Sequence, residues 1–392
     1  MKRILPAIVI SQFLCTSLWF AGNAILPDII RQFNLDESFL ANLTSSVQFG
    51  FIAGTLFFAV FTISDRFSPS KVFFVCSIVA AVFNIGIIIP GISSDAFLFF
   101  RFFTGFFLAG IYPVGMKIAS DYYQQGLGKS LGLLVGALVL GTALPHLLKS
   151  AATGWPWKYV IISISFLSVL GGFMMLLIVP DGPFRRVAGK LNPAAILIAF
   201  RDKNFRRYAF GYFGHMWELY AFWAFVPVML SANKNYHHNN LHISFWSFVI
   251  IASGGLACVV GGVYSQKTGP GKIAAISLLM SCTCCLVSPF FLLSGSTSVL
   301  ISFLLFWGLV VIADSPMFST LVAQNAPQQS RGTALTIVNC IGFAITIVSI
   351  QLIKLLSADI DARYIYLLLA AGPILGLIAL FKNKRSDVPA LK

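Results

Sequence analysis

Charge is what this chain of 392 residues holds least of. Charged side chains make up 10% of it, where ordinary soluble domains carry roughly a quarter. Acids are the scarcer kind, 13 Asp and Glu beside 27 Lys and Arg, and there are 5 His. So few solvating groups exclude a water-soluble enzyme. A disordered chain is excluded too, because disorder needs low hydrophobicity and 58% of these residues are hydrophobic. Also missing is the alternation of polar and apolar residues over segments of about 10 that a transmembrane β-barrel requires. Runs such as Val72 to Pro90 are apolar on every face. What remains is an all-α polytopic membrane protein, and at about 20 apolar residues per span the chain has room for about a dozen helices.

Other absences narrow the chemistry. No Gly-x-x-x-x-Gly-Lys loop occurs, so coupling to ATP is not expected. Cys15, Cys76, Cys258, Cys282, Cys284, Cys285 and Cys340 all fall inside apolar runs, which gives no disulfide framework. The Cys282-x-Cys284-Cys285 cluster has no His or carboxylate in its own helix, so packing explains it more simply than a soft metal does. His237, His238 and His242 in one connector have donor chemistry for a divalent metal, yet a solvated loop is the plainer reading. No cofactor is expected.

Apolar windows predict twelve helices, at 5–26, 40–63, 72–90, 97–118, 130–149, 158–179, 207–230, 243–265, 273–293, 299–321, 333–354 and 363–381. Residues 1–180 form one six-helix bundle and 207–392 a second with a short basic tail. Between them, 181–206 reads as a cytoplasmic linker with Arg185, Arg186, Lys190, Arg201, Lys203 and Arg206. If the amino terminus is cytoplasmic, inner connectors and helix ends hold 20 Lys and Arg, outer ones hold 6, and Arg101 lies within a span. The acids divide 5, 6 and 2. The bias is confined to positive charge, as the positive-inside rule requires, so both termini are expected in the cytoplasm. The net charge of +14 is therefore a topology signal and does not point to nucleic acid. The start, Met1-Lys2-Arg3 and an apolar run to Ala21, also fits a signal peptide cleaved near Ala24. That alternative would discard a segment with a counterpart in the second half.

The counterpart belongs to an internal repeat. Ser68-Pro69-Ser70-Lys71 recurs as Gly269-Pro270-Gly271-Lys272, 201 residues on. Pro27 and Pro227, Pro113 and Pro316, and Gln124-Gln125 and Gln328-Gln329 repeat at offsets of 200, 203 and 204. Six helices per repeat keep both units in one orientation, which suggests two bundles facing each other across a central site.

With this repeat the sequence resembles the major facilitator superfamily over essentially its whole length. The residues that carry the resemblance are Asp65-Arg66 with Lys71, Arg101-x-x-x-Gly105, Asp121 and Lys129, and Gly154-Trp155. Phe61 and Ser68 stand where the family usually has glycine, and the second copy of the loop motif has Gln266 and Lys267 in place of Asp and Arg. Gly132, Gly136 and Gly141 keep part of a glycine-rich signature in the fifth helix, where Pro145 is followed by His146. The resemblance implies the twelve-helix fold of secondary transporters of the bacterial type, in the inner (plasma) membrane. It also implies a gate built from Asp65, Arg66, Lys71 and Asp121. There Asp65 would face the amino terminus of the eleventh helix near Gly332, and Arg66 would pair with Asp121. The alternative is that these residues only set topology and loop shape.

Four ionisable side chains lie deep within spans: Arg101, His215, Glu218 and Asp314. Each costs roughly 3 kcal/mol or more in lipid, so each is expected to border a cavity. They fall in the fourth, seventh and tenth helices, which line the central cavity in the family. The first helix adds Gln12, Thr16, Trp19 and Asn23 on one face, and Tyr112 repeats the spacing of Arg101. Glu218 falls near the middle of its helix. His215 and Asp314 each lie about 5 Å to its cytoplasmic side, close enough to meet. Glu218 and Asp314 are therefore candidate proton carriers, with His215 as partner to either. The plainer alternatives are a hydrogen bond from His215 to a neighbouring helix, and an Asp314 that satisfies backbone freed by Pro316. Arg101, about 10 Å outward, either recognises an anion or snorkels to the interface. Trp217, Tyr220, Phe222 and Trp223 around Glu218 either stack on a flat solute or pack.

The sequence thus predicts a secondary active transporter, not an enzyme, that moves a small anionic or zwitterionic solute by alternating access with protons as partner. A monomer in the lipid bilayer is expected. The runner-up is proton-driven efflux of a hydrophobic compound. A membrane receptor or enzyme on the same scaffold is the rival of another class.

Overall fold

A computed structural model describes residues 3–123, 127–185, 194–293, 296–327 and 331–382, without the side chains of 127–129 and 194–196. The repeat landmarks Gln124-Gln125 and Gln328-Gln329, linker residues Arg186 and Lys190, and the Lys129 side chain lie outside the described residues. There is no strand among those residues. Helices α1 (Ile4–Thr16), α2 (Phe39–Val60), α3 (Pro69–Gly86), α4 (Ser94–Tyr122), α5 (Leu127–Ala151) and α6 (Lys158–Ile178) fill the first half of the chain. The second half holds α7 (Lys203–His237), α8 (Ile243–Thr268), α9 (Pro270–Phe291), α10 (Thr297–Asn325), α11 (Arg331–Leu356) and α12 (Ile365–Lys382). Among the described residues, ten of these are long and apolar enough to cross a membrane. The exceptions are α1, apolar but 13 residues long, and the 35-residue α7, which carries His215 and Glu218.

Three departures from the predicted spans have local causes. The first helix stops at Thr16 and resumes as Ala21–Ala24 and Leu26–Phe33. Thr16 Oγ1 and Ser17 Oγ turn back onto the carbonyls of Gln12 and Leu14, competing with the helical ladder. Pro27 does not end this region, because it lies in the first turn of Leu26–Phe33, where its missing N–H costs nothing. Next, α4 is broken at 109–111, ahead of Pro113, and begins earlier than predicted because Ser93 Oγ accepts from Ala96 N. Finally, α10 is broken at Asp314, ahead of Pro316. That proline cannot donate to the Ile312 carbonyl, and the Cys258 thiol of α8 approaches the same oxygen at 3.6 Å.

Glycines set how closely helices approach. A Cβ at Gly105 of α4 would collide with the Val47 carbonyl of α2, so these backbones touch. Between the chain halves, α5 meets α8 where a Cβ on Gly136 would lie 3.2 Å from Gly255 O. A second seam joins α2 to α11. There Gln351 Nε2 donates to Ser45 Oγ at 2.9 Å and Lys354 Nζ to Asn42 Oδ1 at 3.1 Å.

Candidate functional site

Where α1, α2, α7 and α11 converge, the two chain halves share a cluster of buried rings. Trp19 lies 5.7 Å from Tyr220 and 5.5 Å from Phe343, with ring planes about 30° apart in both pairs. Phe51 closes the group at 4.8 Å from Trp19 and 4.7 Å from Phe343. Trp223 packs edge-on against Tyr220 at 5.2 Å. Several polar atoms here are buried without a partner among the described residues: Nε1 of Trp19 and Trp223, both side-chain polar atoms of Gln48, and Thr55 Oγ1. Gln12 is similarly unpartnered and packs on Gly115 of α4. Asn23 donates to Thr44 Oγ1 at 2.8 Å, leaving its Oδ1 unpartnered. Tyr112 is half-buried at the start of the second segment of α4.

Arg101 does not snorkel. It is fully buried, and its guanidinium donates to Asn84 Oδ1 at 2.8 Å, Leu18 O at 2.9 Å and Trp19 O at 2.7 Å. The last two acceptors belong to the turn that interrupts the first helix, where the carbonyls lack intrahelical donors. The cation on which an anionic or zwitterionic solute was expected is thus engaged in holding that break open.

The deep acids separate into two places. His215 Nδ1 lies 2.8 Å from Asp314 Oδ1, both side chains buried, at the break in α10. Glu218 is not part of this pair. Its Oε1 accepts from Trp307 Nε1 at 2.7 Å and Cys285 Sγ at 3.3 Å, and its Oε2 from Ser281 Oγ at 2.9 Å. Glu218 therefore sits inside the second half, between α7, α9 and α10. Phe222 packs tilted against Trp307 at 4.7 Å in the same place, and Trp217 turns away to donate to Leu368 O of α12 at 3.0 Å. These two belong to packing within one half and not to the ring cluster.

The expected gate partners also differ. Asp65 pairs with Lys117 of α4 at 2.8 Å and its carbonyl accepts from Arg185. Arg66 Nε donates to Thr62 Oγ1, while the Asp121 carbonyl accepts from Phe184 N. Lys71 is exposed. Ser68 Oγ donates to Asp181 and Arg185 bridges Asp181 to Phe67 O, so the loop motif is tied to the start of the segment that leaves α6. In the connector after α7, His237 ends that helix with its ring 3.4 Å from Leu293 O, and no three His, Cys, Asp or Glu among the described residues converge as metal ligands.

Sequence reasoning missed Asn84, Ser281, Trp307, Gln48 and the Asn42–Lys354 contact. Asn84 had a signal, as a lone amide in the apolar run from Val72 to Pro90. The others had none, because a partner on another helix has no fixed spacing along the chain.

Fold and site together define a multi-pass helical membrane protein whose halves meet around buried rings. The model of the Major Facilitator Superfamily matches residues 8–350, and the chain belongs to that family of secondary transporters. No curated protein matches it. Among solved structures, the human organic anion transporter MFSD10 (TETRAN) is 15% identical, with a TM-score of 0.75 over 97% of this chain and 99% of that one. The proton:xylose symporter XylE bound to 6-bromo-6-deoxy-D-glucose is 14% identical, with a TM-score of 0.72 over 97% and 96%. An inward-facing, unoccupied bacterial homolog of the human lysosomal transporter Spinster is 14% identical, with a TM-score of 0.70 over 97% and 95%. At these identities the likeness is one of fold.

Proposed function

We propose that the chain is a proton-coupled secondary transporter that carries a small solute by alternating access. Its moving parts are two six-helix bundles, residues 1–180 and 207–392, joined by 181–206. It acts as a monomer in the bacterial plasma membrane with both termini in the cytoplasm. In that orientation the start of α2 and the end of α11 lie outside, so the Asn42, Ser45, Gln351 and Lys354 contacts close the outer side. On the inner side Asp65 is held by Lys117 of its own half, which fits an inward-facing arrangement.

The observation that carries the reading is the buried pair of His215 and Asp314. A carboxylate and an imidazole excluded from water stabilise each other's charge, and a change in water access changes that balance and lets a proton leave or enter. Their position where α10 is broken puts them at a joint of a helix that lines the path in this fold. Glu218 is the second proton-handling group. In proteoliposomes with an imposed pH gradient, Asp314→Asn and Glu218→Gln should each lose gradient-driven accumulation while keeping solute counterflow. Full accumulation by both variants would reject the proton role. Export of a lipophilic compound by proton antiport is the second reading, favoured by the ring cluster, and the direction of accumulation relative to the gradient separates the two.

A further inference from the structure

We propose that the ring cluster between the halves binds a planar solute bearing uncharged hydrogen-bonding groups, clamped between Trp19 and Tyr220 or Phe343 and held by the Gln48 amide and the Trp19 and Trp223 indole N–H groups. The proposal rests on the transporter reading and names the solute class that the same path takes.

The clamp is the first observation. Trp19 stacks at about 30° with two partners, one from each of α7 and α11, so both stacked neighbours belong to the opposite half of the chain, while Phe51 of its own half packs tilted. Separation of the halves therefore parts ring faces, and a gap of about 7 Å, two carbon contact distances, admits one aromatic ring. Stacked or tilted rings favour a flat guest over a branched or saturated one.

Unpartnered polar atoms are the second observation. Ser45, Gln48, Phe51 and Thr55 follow one another at spacings of three, three and four on α2 and so share one face. Ser45 accepts from Gln351 and Phe51 packs on Phe343, both on α11, which fixes that face as the one turned to the other half. Gln48 lies one turn from each, fully buried, with both Oε1 and Nε2 lacking a partner among the described residues. The Trp19 and Trp223 Nε1 donors are buried and unpartnered in the same way. Buried amides and indoles left without partners are costly, and a guest that accepts and donates hydrogen bonds relieves them.

The charges decide the guest's own charge. The buried cation Arg101 places its Nη donors on Asn84 Oδ1 and the Leu18 and Trp19 carbonyls, and its Nε has no partner among the described residues. Asp314 faces His215, and Glu218 accepts from Trp307, Ser281 and Cys285 inside its own half. The side chains that form the cluster, Trp19, Gln48, Phe51, Tyr220, Trp223 and Phe343, carry no charge, so an ion placed among the rings would shed its hydration against neutral groups.

Equilibrium binding to the purified full chain in nanodiscs, without any gradient, tests the inference with three tritiated probes of one shape. These are 2-quinolinone (neutral), quinoline-2-carboxylate (anion) and N-methylquinolinium (cation). The neutral probe should bind saturably and at least about tenfold more tightly than either ion. Trp19→Phe, which keeps a ring and deletes the N–H, and Gln48→Leu should each weaken it about fivefold. Equal or tighter binding of either ion, no saturable neutral binding below about 1 mM, or unchanged affinity in both variants would overturn the proposal. Should a variant not fold, the ranking of the three probes on the native chain still decides. Because no gradient is applied, a carrier that does not use protons gives the same answer, so this failure is distinct from failure of the coupling assignment.

Discussion

Replacing Arg101 by Met removes three hydrogen bonds at once while keeping most of the side-chain volume. The acceptors left behind are Asn84 Oδ1 and the carbonyls of Leu18 and Trp19, all inside the first half. A hydrogen bond to a charged donor contributes about 1.5–3 kcal/mol, and the offsetting gain from no longer burying a guanidinium is of similar size to one or two of them. The net expected loss is about 2–4 kcal/mol. For a chain of this size that corresponds to a fall in apparent Tm of roughly 2–5 °C, read by fluorescence of the detergent-purified protein. Asn84→Ala, which removes one of the three acceptors together with the amide donor to Ser165 Oγ, should cost less than Arg101→Met. Transport should fall in Arg101→Met because the break after Thr16 closes up into helix, repositioning Trp19. A variant with unchanged Tm and a raised KM would refute this reasoning, since that pattern belongs to a residue that touches the solute and supports nothing else.

Two further outcomes follow from the seams between the halves. Gly255→Ala, whose Cβ would meet Leu140 Cγ at 3.2 Å, should reduce transport modestly, whereas Gly255→Leu should wedge α5 from α8 and abolish it without loss of folded protein; proteoliposome uptake at matched reconstitution measures both. Lys354→Ala should release the outer contact with Asn42, shift the balance toward the outward-open state by about fivefold, and lengthen the distance between spin labels on Glu37 and Asp361. This outer contact should not respond to pH between about 5 and 8. The backbone N–H of Ser38 holds the nearby Asp36 carboxyl below its ordinary range, with Lys354 a lesser contributor. A lowered folded value confers stability above the unfolded value of about 3.9 and loses it only as pH falls through the folded one.

Much of the fold was legible because lipid imposes it. Apolar length located the spans, including ten that the structure shows as long apolar helices. The prolines at 113 and 316 were visible as repeat landmarks, and both lie where a helix is interrupted. The meeting of His215 with Asp314 was also foreseeable, since helix rise alone places them at one depth. Helix rise does not give azimuth, however. Trp217 and Glu218 are neighbours in sequence, yet one reaches α12 and the other α9 and α10.

The sequence by itself determined that the chain lives in a bilayer, how its positive charge is distributed, and which few ionisable groups are held in the interior, because each of these follows from transfer energies summed along a line. Only the tertiary structure decided what those groups touch. Arg101 looked like a cation free to meet a solute and is instead the strut of a broken helix; Gln48, unnoticed among polar residues of α2, is instead the amide left without a partner. The physical reason is that an oily interior drives polar atoms to find partners across helices, and which of them succeed depends on packing angles that no spacing along the chain records.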